Sequence, residues 1–260
     1  MPRFSANISM LFNEHSFLER FAASAKAGFK AVEYVSPYEN PKEQIAELLA
    51  RHDLRQALFN MPAGDWERGE RGIACHPDRI GEFQDGVGKV IEYATALNCP
   101  TVNCLAGILP ENVSHEKAFE TLALNLRFAA AALKQANVLL VTEPINFYDM
   151  PGYFLNTSSD GMSAIDAAAC DNLKLQYDIY HMQRMEGRLA GTLTKLMPRI
   201  GHIQIADDPG RHELGTGKID YAFLLPLIDE LGYDGWVGCE YRPQAGTVEG
   251  LSWMKSYNDT

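Results

Sequence analysis

The chain has 260 residues, 46% of them hydrophobic and 22% charged, a globular balance that excludes general disorder. Its 34 acidic residues outweigh 23 basic ones, and the formal charge of −11, spread along the chain, repels phosphate backbones and argues against a nucleic-acid partner. Five cysteines without a C-x-x-C pair read as reduced thiols of a cytoplasmic protein, and apolar runs such as Val138 to Val141 fall far below the roughly 20 residues of a membrane helix.

The start, MPRFSANISMLF, lacks a signal-peptide pattern. What recurs after it is a short apolar, β-branched run followed by helical spacing, the mark of β/α units around a parallel sheet. Strands are predicted at Arg3 to Ser9, Ala31 to Val35, Arg55 to Asn60, Thr101 to Ala106, Val138 to Glu143, Leu173 to Asp178, His202 to Ile205 and Trp236 to Glu240. The first helix carries Phe17, Phe21 and Ala25 and stops at Gly28. Others are expected near Lys42 to Arg51, Ile80 to Leu97, from Ser114 with Glu116 onward, Ser159 to Ala169, Leu189 to Met197 and Tyr221 to Leu231, with Leu251 to Tyr257 closing the series.

Eight such units without an intervening linker predict a single (β/α)₈ TIM barrel spanning 1–260. A doubly wound open sheet is the second option, but the dinucleotide fingerprint is missing. Before the third helix runs a long loop, MPAGDWERGERGIACHPDR, in which Arg68, Glu70 and Arg71 are candidates for a lid over the site.

Polar residues interrupt the later strands at their C-terminal ends: Glu143 in VLLVTEP, Asp178 in LKLQYD, Gln204 in HIQIAD and Glu240 in GWVGCEY. In a barrel these ends converge on the active-site face. Three carboxylates in one small volume raise each other's pKa and call for a counter-charge. A divalent cation supplies it, and an all-oxygen set of Glu143, Asp178, Gln204 and Glu240 suits Mg²⁺ or Mn²⁺. His181, three residues after Asp178, is placed to hydrogen-bond a substrate or give it a proton. Arg211 and Glu213, in the loop after strand seven, are further substrate-binding candidates, arginine being suited to a carboxylate. No zincin helix, P-loop or nucleophile elbow is present.

These residues, with the segments NMPAGDWERGERGIA, TEPIN, DMPGY, QYDIYHMQRMEG and the GTG loop, resemble the hydroxypyruvate isomerase family of the xylose-isomerase-like barrels, essentially end to end. The resemblance implies Glu143 and Glu240 as the acid/base pair and Glu143, Asp178, Gln204 and Glu240 as metal ligands. The reaction it implies is the interconversion of hydroxypyruvate and 2-hydroxy-3-oxopropanoate (tartronate semialdehyde) through an enediolate. Ketose epimerases of the wider superfamily often carry His where Gln204 stands, and Leu214 and Lys218 replace an expected Pro and Glu. A larger 2-oxo acid, such as 2-oxo-tetronate, or a ketose is the nearest alternative substrate. A nucleic-acid hydrolase and a non-catalytic metabolite-binding protein are the alternatives from other classes. Barrels of this family commonly pair, so a homo-oligomer is compatible with the resemblance.

Overall fold

The computed structural model describes residues 2–258. Eight parallel strands close into a barrel in chain order: β1 (Arg3–Asn7), β2 (Ala31–Tyr34), β3 (Arg55–Asn60), β4 (Thr101–Cys104), β5 (Leu139–Thr142), β6 (Leu173–Asp178), β7 (Ile200–Ile205) and β8 (Trp236–Cys239). Around them run α1 (Arg20–Lys26), α2 (Lys42–Arg51), α3 (Ile80–Ala96), α4 (His115–Gln135), α5 (Ser158–Ala168), α6 (Ile179–Met185), α7 (Leu189–Leu196) and α8 (Tyr221–Glu230). β8 is followed by a 3₁₀ helix, Glu249–Met254, and the four-residue α9 (Lys255–Asn258), in place of the single last helix expected from 251–257.

The helices bury one face each, but in α4 it is not the face that Phe119, Leu122, Leu126 and Phe128 suggest, since Phe128 is 41% exposed and Phe119 only partly buried. Along α4, Ala118, Leu122, Leu126, Ala129 and Leu133 recur at helical spacing, and all are buried. Ser114 caps its start by accepting the Lys117 N–H. The expected β/α alternation therefore stands, with small differences at the element ends: β1 stops at Asn7, two residues short of Ser9. β7 begins at Ile200, two residues earlier than expected; β4 ends at Cys104, two earlier; and α6 follows β6 with no intervening turn.

Period-two alternation sends Ser5, Asn7, Glu33, Asn103, Gln176, Asp178, His202 and Gln204 to buried positions on the strands. The interior of such a barrel is ordinarily filled by branched apolar side chains. Here it holds a hydrogen-bonded layer centred on Glu33. That carboxylate accepts from Ser5 Oγ at 2.7 Å, Gln204 Nε2 at 2.8 Å, His202 Nε2 at 2.9 Å and Asn7 Nδ2 at 3.2 Å. Burial alone would raise the Glu33 pKa, but His202 and the other donors hold it below the usual carboxylate range. Gly238 is what makes room, since a β-carbon there would lie 2.3 Å from Glu33 Oε1.

The long loop from Met61 to Arg79 is pinned over the C-terminal end of the barrel. Gly72 N–H donates to Ala63 O, and Cys75 N–H to Ala106 O, both at 2.9 Å. Glu70 accepts the Asp65 N–H and pairs with Arg79. At Gly72 φ is +106°, and a β-carbon would lie 2.3 Å from Leu105 O. Gly72→Ala therefore combines backbone strain with overpacking and should destabilise the protein by about 2–4 kcal/mol. The midpoint of urea unfolding is the measurement; an unchanged midpoint means that the loop yields freely.

Candidate active site

β5, β6 and β8 deliver three carboxyl groups to one place. Glu143 and Glu240 each stand one residue past a strand end, and Asp178 is the last residue of β6, paired in register with Gln204 of β7. Ligand atoms of Glu143, Asp178, His181 and Glu240 all lie within 4.8 Å of one another, and all four residues are buried. Glu143, His181, Arg211 and Glu240 line one wall of a cavity of about 620 Å³ that opens at the barrel mouth, with Tyr180 and Arg184 beside them.

Each carboxylate is held from behind. Asn103 Nδ2 donates to Glu143 Oε2 at 3.0 Å, and Asn7 Nδ2 donates to Glu240 Oε1 at 3.0 Å. Asp178 doubles as the cap of α6. Its Oδ1 accepts the N–H groups of Tyr180 at 2.8 Å and His181 at 3.3 Å, while Oδ2 lies 3.4 Å from both His181 Nε2 and Arg211 Nη2. The capping turn brings His181 back over its own carboxylate, and Glu143 Oε1 is 4.0 Å from the same imidazole nitrogen.

The state of His181 follows from its other side. Asn146 Oδ1 accepts the Asp149 N–H at 2.9 Å, and Asn146 Nδ2 donates to Asp149 Oδ2 at 3.1 Å, which fixes the amide's orientation. The same Nδ2 meets His181 Nδ1 at 2.6 Å, so Nδ1 is the acceptor and Nε2 carries the hydrogen toward the carboxylates. Burial, reinforced by Arg211 and Arg184, pushes the His181 pKa well below its usual value. The ring is a neutral donor.

The carboxyls are under the opposite pressure. Burial first, then the charges of Glu240 and Asp178, push Glu143 well above the usual range, and burial is also the main cause for Asp178, which is raised. Burial pushes Glu240 up to about 8, although Arg211 beside it works the other way. Arg211 pairs with both Glu240 and Asp178, so one guanidinium faces three carboxyls. Asn103 Oδ1 and Gln176 Oε1 are buried acceptors with no hydrogen-bond donor among the described residues. A surplus of oxygen acceptors over positive charge is what a hard divalent cation fits.

Gln204 stands in the layer beneath. Its Nε2 is committed to Glu33, and its Oε1 accepts from Gln176 Nε2 at 2.7 Å, which leaves the amide oxygen a second lone pair. Glu213 does not line the cavity; its carboxylate accepts the Gln244 N–H at 3.0 Å and braces the last loop. Lys218 pairs with Asp208 at 2.9 Å, and Leu214 is buried. Of the charged run in the long loop, Arg71 lines the cavity, Glu70 fastens the loop, and Arg68 stays exposed beside Asp65. Asn7, Asn103, Asn146 and Glu33 were not among the expected site residues. Their signal in the sequence is a polar residue at an alternate position within an apolar strand, or the Asn of TEPIN.

The family model described as xylose isomerase-like TIM barrel matches residues 21–257. Hydroxypyruvate isomerase of Escherichia coli (strain K12) is 51% identical over 257 residues, covering 99% of this chain and 100% of that protein. A 2-oxo-tetronate isomerase of Cupriavidus necator is 47% identical, with 99% of each chain covered. A crystal structure described as AP endonuclease, family 2, from Brucella melitensis superposes with a TM-score of 0.97 at 42% identity, covering 99% of each chain. The apo 3-keto-D-glucoside 4-epimerase of E. coli shares the fold, with a TM-score of 0.82 at 20% identity, covering 98% of this chain and 99% of that one.

Proposed function

The chain belongs to the xylose isomerase-like TIM-barrel family, and from that premise we propose that it is an isomerase interconverting hydroxypyruvate and 2-hydroxy-3-oxopropanoate. The observation that carries this reading is the pair Glu143 and Glu240. They are two buried carboxyls lining one cavity, both pushed above the usual carboxylate range chiefly by burial, in a chain 51% identical to a hydroxypyruvate isomerase.

The isomerisation breaks a C–H bond at C3 of hydroxypyruvate and makes one at C2, through an enediolate, while the oxygen-bound proton shifts from O3 to O2. One glutamate takes the proton from C3 and the other returns one to C2. A carboxyl whose pKa lies near the working pH serves either direction, and each positioned transfer contributes roughly 10² to 10⁴ in rate. Asn103 and Asn7 hold the two carboxylates in place. The neutral His181, with Nε2–H turned into the cavity by Asn146, donates a hydrogen bond to the oxygen on which charge develops. Glu143, Asp178, Gln204 and Glu240 would hold the ion, Mg²⁺ or Mn²⁺ by their donor chemistry. When bound, it draws density from the substrate's carbonyl and hydroxyl oxygens and so acidifies the C–H. Reduced, free cysteines agree with a cytoplasmic setting, and among the described residues no helix is long and apolar enough to cross a membrane.

A four-carbon 2-oxo acid is the second reading. It is favoured by the 47% identity to a 2-oxo-tetronate isomerase and by a cavity of about 620 Å³, which has room for one more hydroxymethylene group. The name on the Brucella structure does not weigh against an isomerase, since the chain's −11 charge suits a small substrate better than DNA. Turnover of both acids, run in D₂O, tests the proposal. The expected result is a higher kcat/KM for hydroxypyruvate, with solvent deuterium at C2 of the product. Full retention of the original hydrogen under slow turnover would remove the proton-carrier roles of the two glutamates.

A further inference from the structure

Four arginines line the cavity, and three of them are committed or loose. Arg211 is spent on Glu240 and Asp178. Arg184 lies between Asp208 at 3.7 Å and Asp149 at 4.0 Å and donates to the Tyr180 hydroxyl. Arg242 is exposed, and nothing among the described residues holds its side chain. Arg71 differs from all three. Its Nη1 donates to Trp66 O at 3.0 Å and Glu70 O at 2.7 Å, and its guanidinium lies 3.9 Å from the centre of the Trp66 indole. No carboxylate among the described residues pairs with it.

Arg71 is therefore immobilised by neutral groups only. Two carbonyls and an aromatic face fix the plane of the guanidinium without cancelling its charge, and its Nε and Nη2 donors take no part in these bonds. The loop that carries it is itself fixed, by Glu70 with Arg79 and by the close approach of Gly72 to Leu105. A full positive charge held still at a cavity edge, in a chain of net charge −11, is a preorganised receptor for an anion. It also accounts for Trp66, a large aromatic side chain left 43% exposed, as the platform on which the arginine is laid.

We infer that Arg71 anchors the substrate's carboxylate, making the site selective for 2-oxo acids over neutral hydroxy ketones; this rests on the isomerase reading above. The charge of Arg211 is already opposed by Glu240 and Asp178, which leaves Arg71 as the fixed, uncompensated cation of the cavity. The acid end of the substrate is accordingly directed to the loop side, and the hydroxymethyl ketone to Glu143, His181 and Glu240.

The test compares wild type, Arg71→Met and Arg71→Lys on hydroxypyruvate and on dihydroxyacetone, which keeps the hydroxy ketone and lacks the acid. Methionine should raise KM for hydroxypyruvate about 30-fold or more with kcat within a few-fold, because binding is lost while the chemistry is intact. Lysine restores the charge without the fork and should fall between. The preference for hydroxypyruvate over dihydroxyacetone, measured as kcat/KM or as competing inhibition, should shrink by the same factor as KM rises. A KM within threefold of wild type in Arg71→Met overturns the anchor, as does a loss confined to kcat, which would make the loop a positioning device for the chemistry. A wild type inert on every 2-oxo acid instead sinks the isomerase reading, and the anchor with it.

Discussion

Glu143→Gln and Glu240→Gln should each lower kcat by at least about 10² while KM changes little. An amide keeps the size of the carboxyl and an oxygen that can accept or ligate, so what is removed is the ability to carry a proton. Asn103 and Asn7, whose Nδ2 groups donate to these two side chains, can keep donating to the amide oxygen, and the local geometry survives. Because Glu143 is buried and pushed upward partly by its carboxyl neighbours, Glu143→Gln relieves like-charge crowding and should be no less stable than wild type when both are ion-free, whereas Glu240→Gln also gives up its pair with Arg211. Steady-state kinetics on hydroxypyruvate with a thermal melt of each variant decides the matter. Near wild-type kcat in either one would reduce that glutamate to a ligand or a strut.

Asp178→Ala should cost more. This side chain belongs to the cluster that suits a divalent ion, lies 3.4 Å from both His181 and Arg211, and caps α6 through Oδ1. Alanine should empty the ion site, from one equivalent per chain to nearly none by elemental analysis, and lower kcat by about 10³ or more. The lost cap adds roughly 1 kcal/mol of destabilisation. Asp178→Asn separates the two effects, because the amide oxygen still accepts the N–H groups of Tyr180 and His181 while the charge is gone. It should melt like wild type and still bind the ion weakly. Full metal content and turnover in Asp178→Asn would mean that the negative charge at this position does not matter.

How far the sequence reveals this arrangement depends on what kind of signal each residue leaves. Strands announce themselves by apolar β-branched runs, and Glu143, Asp178 and Glu240 are visible because each ends such a run where a barrel has its mouth. α6 leaves no boundary signal, since Asp178 is at once the last strand residue and the helix cap, and no Gly or Pro separates the two elements. The layer beneath is harder to see. Glu33 in AVEYV and His202 at the head of HIQIAD look like isolated polar residues in strands, and only closure of the barrel brings them within 2.9 Å. Arg71 is hidden for another reason. In WERGERG it is indistinguishable from Arg68, and its distinction rests on two backbone carbonyls and a ring that come together only when the loop folds back.

The polar layer around Glu33 ties two properties of the molecule together. A buried Glu–His contact with its attendant amides is seldom the most stable filling for such a space, and well-packed aliphatic residues of similar volume are often as good or better. Yet the donor side of Gln204 rests on Glu33, and Asn7 bridges from Glu33 to Glu240. Robustness and turnover thus compete for the same few cubic ångströms at the barrel's centre. Lineages or designers selecting for heat resistance alone would drift toward Leu, Val and Ile at these positions and arrive at a sturdier but silent barrel, whereas the outer helices offer room for improvement without that trade-off.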